Sequence, residues 1–251
     1  MVIKTKSSKR YYNIDFLRTL LALLIIVYHS YGFCIGRNKY PGLVHLNVCV
    51  DLFFIMSGFF LFSTISVVQD TFEFIKKKFF RFAPVMWLTV PFVAIAAIFA
   101  KGIRSNFFEQ IFRCLMFTNI GLNKFINPNM LFNVSWYVCV CFWVSIFYFY
   151  LNKILEKRQL NMAIWLIVFI GFGIYFGNGR ITGGHDYFIC NFIDIGVLRG
   201  LIGMGIGYFI YMFYNSEFLS RVSGLGRLIV SFIEIYILYF FARYFIFSNH
   251  V

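Results

Sequence analysis

The sequence predicts an all-α fold, a polytopic bundle of helices that crosses a membrane. Of its 251 residues, 61% are hydrophobic and only 13% are charged, against roughly 25% charged residues in an average soluble domain. A soluble domain of this length needs a larger polar fraction to cover its surface. The apolar composition also excludes a disordered chain, and six cysteines are too few for a secreted disulfide scaffold.

Seven apolar runs are long enough to cross the hydrocarbon core, which takes roughly 17–25 helical residues. None of them alternates apolar with polar residues as a membrane β-strand would, so each run predicts a helix. The predicted spans are Phe16–Ile35, Leu46–Val68, Phe82–Ala100, Val134–Leu151, Met162–Gly177, Ile195–Tyr214 and Leu228–Phe247. We expect one integral-membrane domain over residues 1–251, with residues 1–15 as a cytoplasmic leader.

Three connecting segments have patterns of their own. Lys101–Asn133 carries apolar residues at helical spacing, and we expect a helix there along the outer interface. Gln69–Arg81 mixes aromatic residues with lysines and predicts an amphipathic connector at the cytoplasmic surface. Asn178–Asp194 is rich in glycine and predicts a loop.

The net charge of +13 is explained by membrane topology and does not require a nucleic-acid partner. Membrane proteins concentrate Lys and Arg in their cytoplasmic loops. With the N-terminus inside, 13 Lys and Arg fall in inner segments and seven in outer segments. We therefore predict a multi-pass protein with a cytoplasmic N-terminus.

A polar stripe follows one side of the first predicted span. Arg18 and His29 are eleven residues apart, which places them on one helix face about 16 Å apart along the axis. Asp15 falls within about 40° of the same face. Ionisable groups inside a span cost free energy and indicate function by default. The imidazole can abstract a proton or accept an acyl group, and the alternative is a packed histidine bonded to a neighbouring helix.

The second predicted span offers a partner for this imidazole. Asp51 and His29 lie at matching depths from the outer ends of their spans. A carboxylate beside a ring nitrogen orients the imidazole and raises its basicity, and the alternative is a helix-end carboxylate that faces outer water. Ser57 and Gly58 follow, and small residues at this position allow a neighbouring helix to approach closely.

The sixth predicted span has a glycine face for helix contact, formed by Gly196, Gly200, Gly203 and Gly207. Its Arg199 is expected either to pair with Asp194 or to meet an anionic ligand. No metal site is expected, because Cys139 and Cys141 lack a second Cys/His pair at suitable spacing.

Motifs in five parts of the chain resemble one family of membrane enzymes. They are Tyr12–Arg18 (YNIDFLR) with Tyr28–Ser30 (YHS), Val50–Phe59 (VDLFFIMSGF), Lys78–Pro84 (KFFRFAP), Ser135–Tyr137 (SWY) and Leu198–Gly200 (LRG). The family is the membrane acyltransferase 3 family, whose first helix has an Arg and a His at the spacing of Arg18 and His29.

The resemblance implies an inner-membrane O-acyltransferase. Members move an acyl group, commonly acetyl from acetyl-CoA, to sugar hydroxyls of surface polysaccharide or lipopolysaccharide. His29 would be the catalytic residue, with Arg18 and Asp51 as its partners. The residues expected to bind donor or substrate are Asp15, Ser57, Gly58, Lys78, Arg81, Trp136 and Arg199.

The same resemblance implies the partners of the protein. These are the lipid bilayer, an acyl-CoA and a cell-envelope glycan acceptor, without nucleic acid. The acyl-CoA is a donor substrate, and no permanently bound cofactor is expected. Lys76–Lys78 with Arg81 form a basic cytoplasmic rim that suits the phosphates of such a donor.

Two other functions stay open at the level of the sequence. One is a transporter or flippase for a lipid-linked glycan, with His29, Asp51 and Arg199 along a polar path. The other is a non-catalytic relic, because family members typically have about ten spans and the seven counted here predict a truncated copy.

Overall fold

Helices make up nearly all of the part of the chain that the computed structural model describes. The described residues are 12–34, 46–65, 70–101, 107–120, 135–177, 188–189, 193–216 and the positions 232, 236 and 239. Contacts divide the chain into two units, one of Met1–Phe53 with Leu228–Val251 and the other of Phe54–Arg227.

The described helices confirm the all-α class. They are α1 (Tyr12–Cys34), α2 (Val48–Ile65), α3 (Thr71–Lys101), α4 (Phe107–Leu115), α5 (Ser135–Ile154), α6 (Lys157–Gly177) and α7 (Ile195–Tyr214). Two short antiparallel strands, β1 (Phe188–Ile189) and β2 (Ile193–Asp194), pair just before α7.

Within the described residues, six helices are long and apolar enough to cross a membrane: α1, α2, α3, α5, α6 and α7. They overlap the first six predicted spans, and only α7 has the predicted bounds. The seventh, Leu228–Phe247, lies outside the described residues except at Phe232, Tyr236 and Tyr239, which are helical and exposed.

The third span begins earlier than its apolar run. Asp70 caps the helix, since its carboxylate accepts a hydrogen bond of 2.9 Å from the backbone N–H of Glu73. From Thr71 the chain is helical without a break to Lys101, with Pro84 inside the helix. Gln69–Arg81 is therefore not a separate connector, because its residues from Thr71 onward form the first turns of α3.

In the second unit, α7 packs against three neighbours through glycines. Gly196 lies against the Trp136 ring of α5, Gly205 against side chains of α6, and Gly207 against the backbone of α2. A helix without side-chain bulk at these positions lets the neighbouring helices approach closely. The predicted contact role of the glycine face is confirmed at Gly196, Gly200 and Gly207. Gly196 contacts α5, Gly207 contacts α2, and Gly200 lies close to side chains of both helices.

The segment after α3 contains the predicted helix, α4. This helix ends in a Schellman motif, in which Thr118 N–H bonds to the Arg113 carbonyl at 2.9 Å and Phe117 N–H to the Cys114 carbonyl at 3.3 Å. Phe117 occupies the position that glycine usually takes, with a φ of 56°.

The side chain of Phe117 explains why a non-glycine residue stands there. Its ring is fully buried and stacks on Phe142 of α5 with 5.1 Å between centroids. The indole N–H of Trp143 donates a 2.7 Å hydrogen bond to the Phe117 carbonyl. These contacts fasten the end of α4 to α5 and offset the strain of the left-handed backbone.

Candidate functional site

The polar stripe of the first span lies on one side of α1. The helix is continuous from Tyr12 to Cys34, so the spacing of the stripe holds. Asp15, Arg18 and His29 are all partly buried, and Leu21 on the same side is buried.

The other side of α1 carries the large apolar side chains. Phe16 is 71% exposed, and Leu23 and Ile26 are also exposed. Such a surface suits contact with lipid chains. The ionisable residues therefore share the less exposed side of this helix. On that side, the ring of His29 meets the ring of Tyr28 edge to face with 5.0 Å between centroids.

Asp51 stands in the first turn of α2 and is partly buried. The N-terminal end of a helix favours a carboxylate, because the peptide dipoles add up to a partial positive charge there. This position supports the helix-end interpretation of Asp51. Its pairing with His29 stays a prediction.

In the second unit, a row of polar side chains follows one side of α5. Tyr137, Cys141 and Ser145 are four residues apart and therefore lie above one another on the helix. The Ser57 hydroxyl of α2 lies 3.2 Å from the Tyr137 hydroxyl and 3.9 Å from the Cys141 sulfur. The Lys78 ammonium of α3 donates to the Ser145 hydroxyl at 3.4 Å.

This arrangement brings two predicted site residues, Ser57 and Lys78, to the same face of α5. Sequence reasoning missed Tyr137, Cys141 and Ser145 as members of that face. The signal that could have found them is the spacing of four between polar residues in an apolar span.

Gly58, the neighbour of Ser57, is a helix-crossing residue. A Cβ added at this position would lie 2.6 Å from the Cα of Met204 in α7. Real side chains do not tolerate so short a distance, so α2 and α7 touch through their backbones here. The structure therefore gives Gly58 a packing role.

Arg199 and Trp136 meet where α7 and α5 begin. The guanidinium lies over the Trp136 ring at 5.7 Å from its centroid, and Arg199 is only 4% exposed. Asp194 caps α7 by accepting a 2.7 Å hydrogen bond from the backbone N–H of Gly196. Cation–π contact at a buried position stabilises the pair. The expected pairing of Arg199 with Asp194, or with an anionic ligand, stays a prediction.

The basic residues of α3 differ in their surroundings. Lys76 and Arg81 are exposed, and Lys77 pairs with Glu73 one turn away at 2.6 Å. Lys78 is partly buried, and its ammonium also lies over the Phe74 ring, 5.7 Å from the centroid. Among the described residues, no group of three or more His, Cys, Asp or Glu could hold a metal ion.

Comparison with known families decides the ancestry of this arrangement. The acyltransferase 3 model, described as an acyltransferase domain, matches residues 11–250. The chain belongs to the acyltransferase 3 family. No curated protein and no solved structure matches it significantly.

The expected family is thus confirmed, and with it a multi-pass membrane protein of the acyltransferase class in general terms. In this acyltransferase 3 member the candidate residues form two groups. Asp15, Arg18, His29 and Asp51 belong to the first unit, and Ser57, Gly58, Lys78, Arg81, Trp136 and Arg199 belong to the second. Their roles in catalysis and binding stay predictions.

Proposed function

We propose that the protein transfers acetyl or another short acyl group from acyl-CoA to a hydroxyl of a cell-envelope glycan. In this proposal His29 is the catalytic residue. The observation that carries it is the position of His29 on the partly buried side of α1 together with Arg18, in a member of an acyltransferase family. An imidazole has the proton affinity that this chemistry needs near neutral pH.

In the proposed reaction, one proton moves from the glycan hydroxyl to the leaving thiolate. The glycan hydroxyl oxygen attacks the thioester carbonyl carbon, a C–O bond forms, the C–S bond breaks, and CoA leaves as a thiolate. The imidazole of His29 takes the hydroxyl proton and returns it to the thiolate. In a two-step variant, the imidazole nitrogen itself takes the acyl group and then passes it to the hydroxyl.

The other residues have supporting roles in this proposal. Arg18 and Asp51 position the imidazole or stabilise the charge that develops on it. Lys78 and Arg81 bind phosphate groups of the donor, because Lys and Arg form charge-assisted hydrogen bonds with phosphate oxygens.

Mass spectrometry of the envelope glycans tests the proposal. Four strains are compared: one without the gene, one with the unchanged protein, one with His29→Ala and one with Ser30→Ala. Ser30 is the matched control, since it neighbours His29 on α1 but is exposed. We expect acyl groups in the strains with the unchanged protein and with Ser30→Ala, and none in the other two.

Membrane insertion of each variant is checked by the amount of protein in the membrane fraction. An identical acyl content in all four strains would contradict the proposed function. Equal acylation by the His29→Ala and Ser30→Ala variants would leave the reaction standing but remove His29 from it. Isolation of protein acylated at His29 would select the two-step route.

A further inference from the structure

Lys78 differs from the other basic residues at the start of α3. Lys77 pairs with the Glu73 carboxylate at 2.6 Å, which neutralises its charge, and Lys76 and Arg81 are exposed. Lys78 is partly buried, and within the described ranges of the chain it forms no ion pair with a carboxylate. Such a cation favours an anionic ligand, because removal of a charge from water is costly unless the charge is paired.

Two contacts hold the Lys78 ammonium in place. The first is its hydrogen bond of 3.4 Å to the Ser145 hydroxyl of α5. This hydroxyl donates its only hydrogen to the Cys141 carbonyl at 2.6 Å, so that only its lone pairs are left for the ammonium. Ser145 is 2% exposed. The buried hydroxyl is therefore fixed as an acceptor that faces Lys78.

The second contact is made by the Phe74 ring, which lies one turn before Lys78 on α3. The ammonium lies 5.7 Å from the centroid of this ring, and a ring face attracts a cation without removing its charge. Phe74 itself stacks on Phe149 of α5, with 4.1 Å between the centroids and 14° between the ring planes. Both rings are buried. The packing against α5 therefore fixes this contact as well.

The two contacts of Lys78 restrain its side chain and leave its positive charge available, because a hydroxyl and an aromatic ring carry no net charge. A lysine side chain has many rotamers, and its immobilisation by a ligand costs free energy. For a lysine that the protein has already oriented, this cost is smaller and the ligand binds more tightly.

We propose that Ser145 and Phe74 are positioning residues for the acyl donor. They hold the Lys78 ammonium where one of its remaining N–H groups meets an anionic oxygen of acyl-CoA. This assignment of the ligand rests on the proposed function, in which Lys78 contacts the donor. Ser145 and Phe74 touch no part of the donor themselves, and they change its affinity only through Lys78.

Binding of coenzyme A to the purified full-length protein in detergent tests the proposal. Isothermal titration calorimetry measures the dissociation constant. We expect Ser145→Ala to raise this constant about fivefold, because the ligand must then order a mobile ammonium. Ser145→Thr keeps the hydroxyl and should bind coenzyme A as the unchanged protein does.

Ser63→Ala is the matched control. The Ser63 hydroxyl of α2 also bonds to a carbonyl of its own helix, at 2.9 Å from the Phe60 oxygen. Its loss removes the same kind of backbone contact from a span without removing a contact of Lys78. The dissociation constant of coenzyme A should stay unchanged in this variant.

A double-mutant cycle with Lys78→Met separates positioning from a general loss of structure. In this background Ser145→Ala should have no further effect on the dissociation constant, because no ammonium is left to orient. Phe74→Leu removes the ring beside the ammonium and should follow the same pattern, with weaker binding when Lys78 is in place and no further loss in the Lys78→Met background.

Three outcomes would overturn the positioning role. They are an unchanged dissociation constant in Ser145→Ala, an equal loss of affinity in Ser145→Ala and Ser145→Thr, and a loss in Ser145→Ala that persists in the Lys78→Met background. Phe74→Leu decides the question in the same way if the Ser145 variants do not reach the membrane.

These results are separable from those on the proposed function. If the cycle gives the expected pattern but the envelope glycans show no acyl difference, the glycan acceptor is wrong and the positioning role stands. If the glycans are acylated but Ser145→Ala binds coenzyme A like the unchanged protein, the acyl transfer stands and the positioning role is wrong. If the unchanged protein does not bind coenzyme A, the proposed donor is wrong and the positioning role falls with it.

Discussion

At the scale of single residues, glycines in two helices differ in whether the fold leaves room for a side chain. Gly58 of α2 faces the backbone of α7, where an added Cβ would lie 2.6 Å from the Met204 Cα. Gly173 of α6 has open space around the same hypothetical atom. A side chain at position 58 would clash with the backbone of α7, whereas a side chain at position 173 would fit without a clash.

The pair Gly58→Ala and Gly173→Ala tests this difference. We expect Gly58→Ala to lower the free energy of unfolding by about 1–3 kcal/mol or more, because a backbone cannot move aside as a side chain can. Gly173→Ala should raise it by about 0.5–1 kcal/mol, since alanine favours the helix. Thermal or denaturant unfolding in detergent measures both, and equal stability of the two variants would contradict the backbone crossing.

At the scale of elements, packing overrides the usual preference for glycine at the end of α4. The C′ position of a Schellman motif favours glycine, yet Phe117 stands there with a φ of 56°. Burial of its ring against Phe142 and a hydrogen bond from Trp143 to its carbonyl stabilise the arrangement. The ring contributes more than the strained backbone costs, because a buried phenylalanine is worth about 3–5 kcal/mol.

Two substitutions separate the ring from the backbone. Phe117→Ala loses the ring and keeps the strained φ, while Phe117→Gly loses the ring and relieves the strain. Both are expected to be destabilised, but the glycine variant should be the more stable by about 1 kcal/mol. Unfolding in detergent gives the comparison, and a more stable alanine variant would show that the left-handed conformation of this residue carries no strain.

The sequence predicts the bounds of a span correctly where the helix begins or ends at the same residue as the apolar run. The sixth predicted span, Ile195–Tyr214, is identical with α7, because Asp194 just before it supplies the cap. For the third span, the sequence predicts a start at Phe82, where charged residues give way to apolar ones. The helix starts at Thr71 because its backbone hydrogen bonds continue through the charged turns.

Contacts between helices could not be predicted in the same way. Lys78 and Ser145 are 67 positions apart, and Ser57 and Tyr137 are 80 apart. Hydropathy tells which segments enter the membrane, but not which of them become neighbours. The stripe of α1 is predictable from the sequence because Asp15, Arg18 and His29 all lie in one helix.

At the scale of the whole molecule, the described helices agree with an alternating path through the membrane. The start of α3 lies beside the end of α5, where Lys153 donates to Thr71 at 2.9 Å. The starts of α5 and α7 lie together, where Trp136 meets Arg199. These contacts fix which helix ends share a side of the second unit, and the basic loops predict that the start of α3 is cytoplasmic.

Labelling of intact cells and inside-out vesicles tests that orientation. Glu156→Cys lies in the exposed turn between α5 and α6, and Asn106→Cys lies in the predicted outer segment. An impermeant maleimide should label Asn106→Cys in cells and Glu156→Cys in inside-out vesicles, since it reacts only with thiols that it can reach. The reverse pattern would place the N-terminus outside.

The close contact between the backbones of α2 and α7 at Gly58 also limits which substitutions this position can accept during evolution. A clash between two side chains is relieved by a second substitution, but a clash with the backbone at Met204 is present whatever residue stands there. Gly58 and Gly207, which also faces the backbone of α2, should therefore stay invariant in a saturation library. Gly173 and Gly177 have open space around them and should accept many residues in the same library.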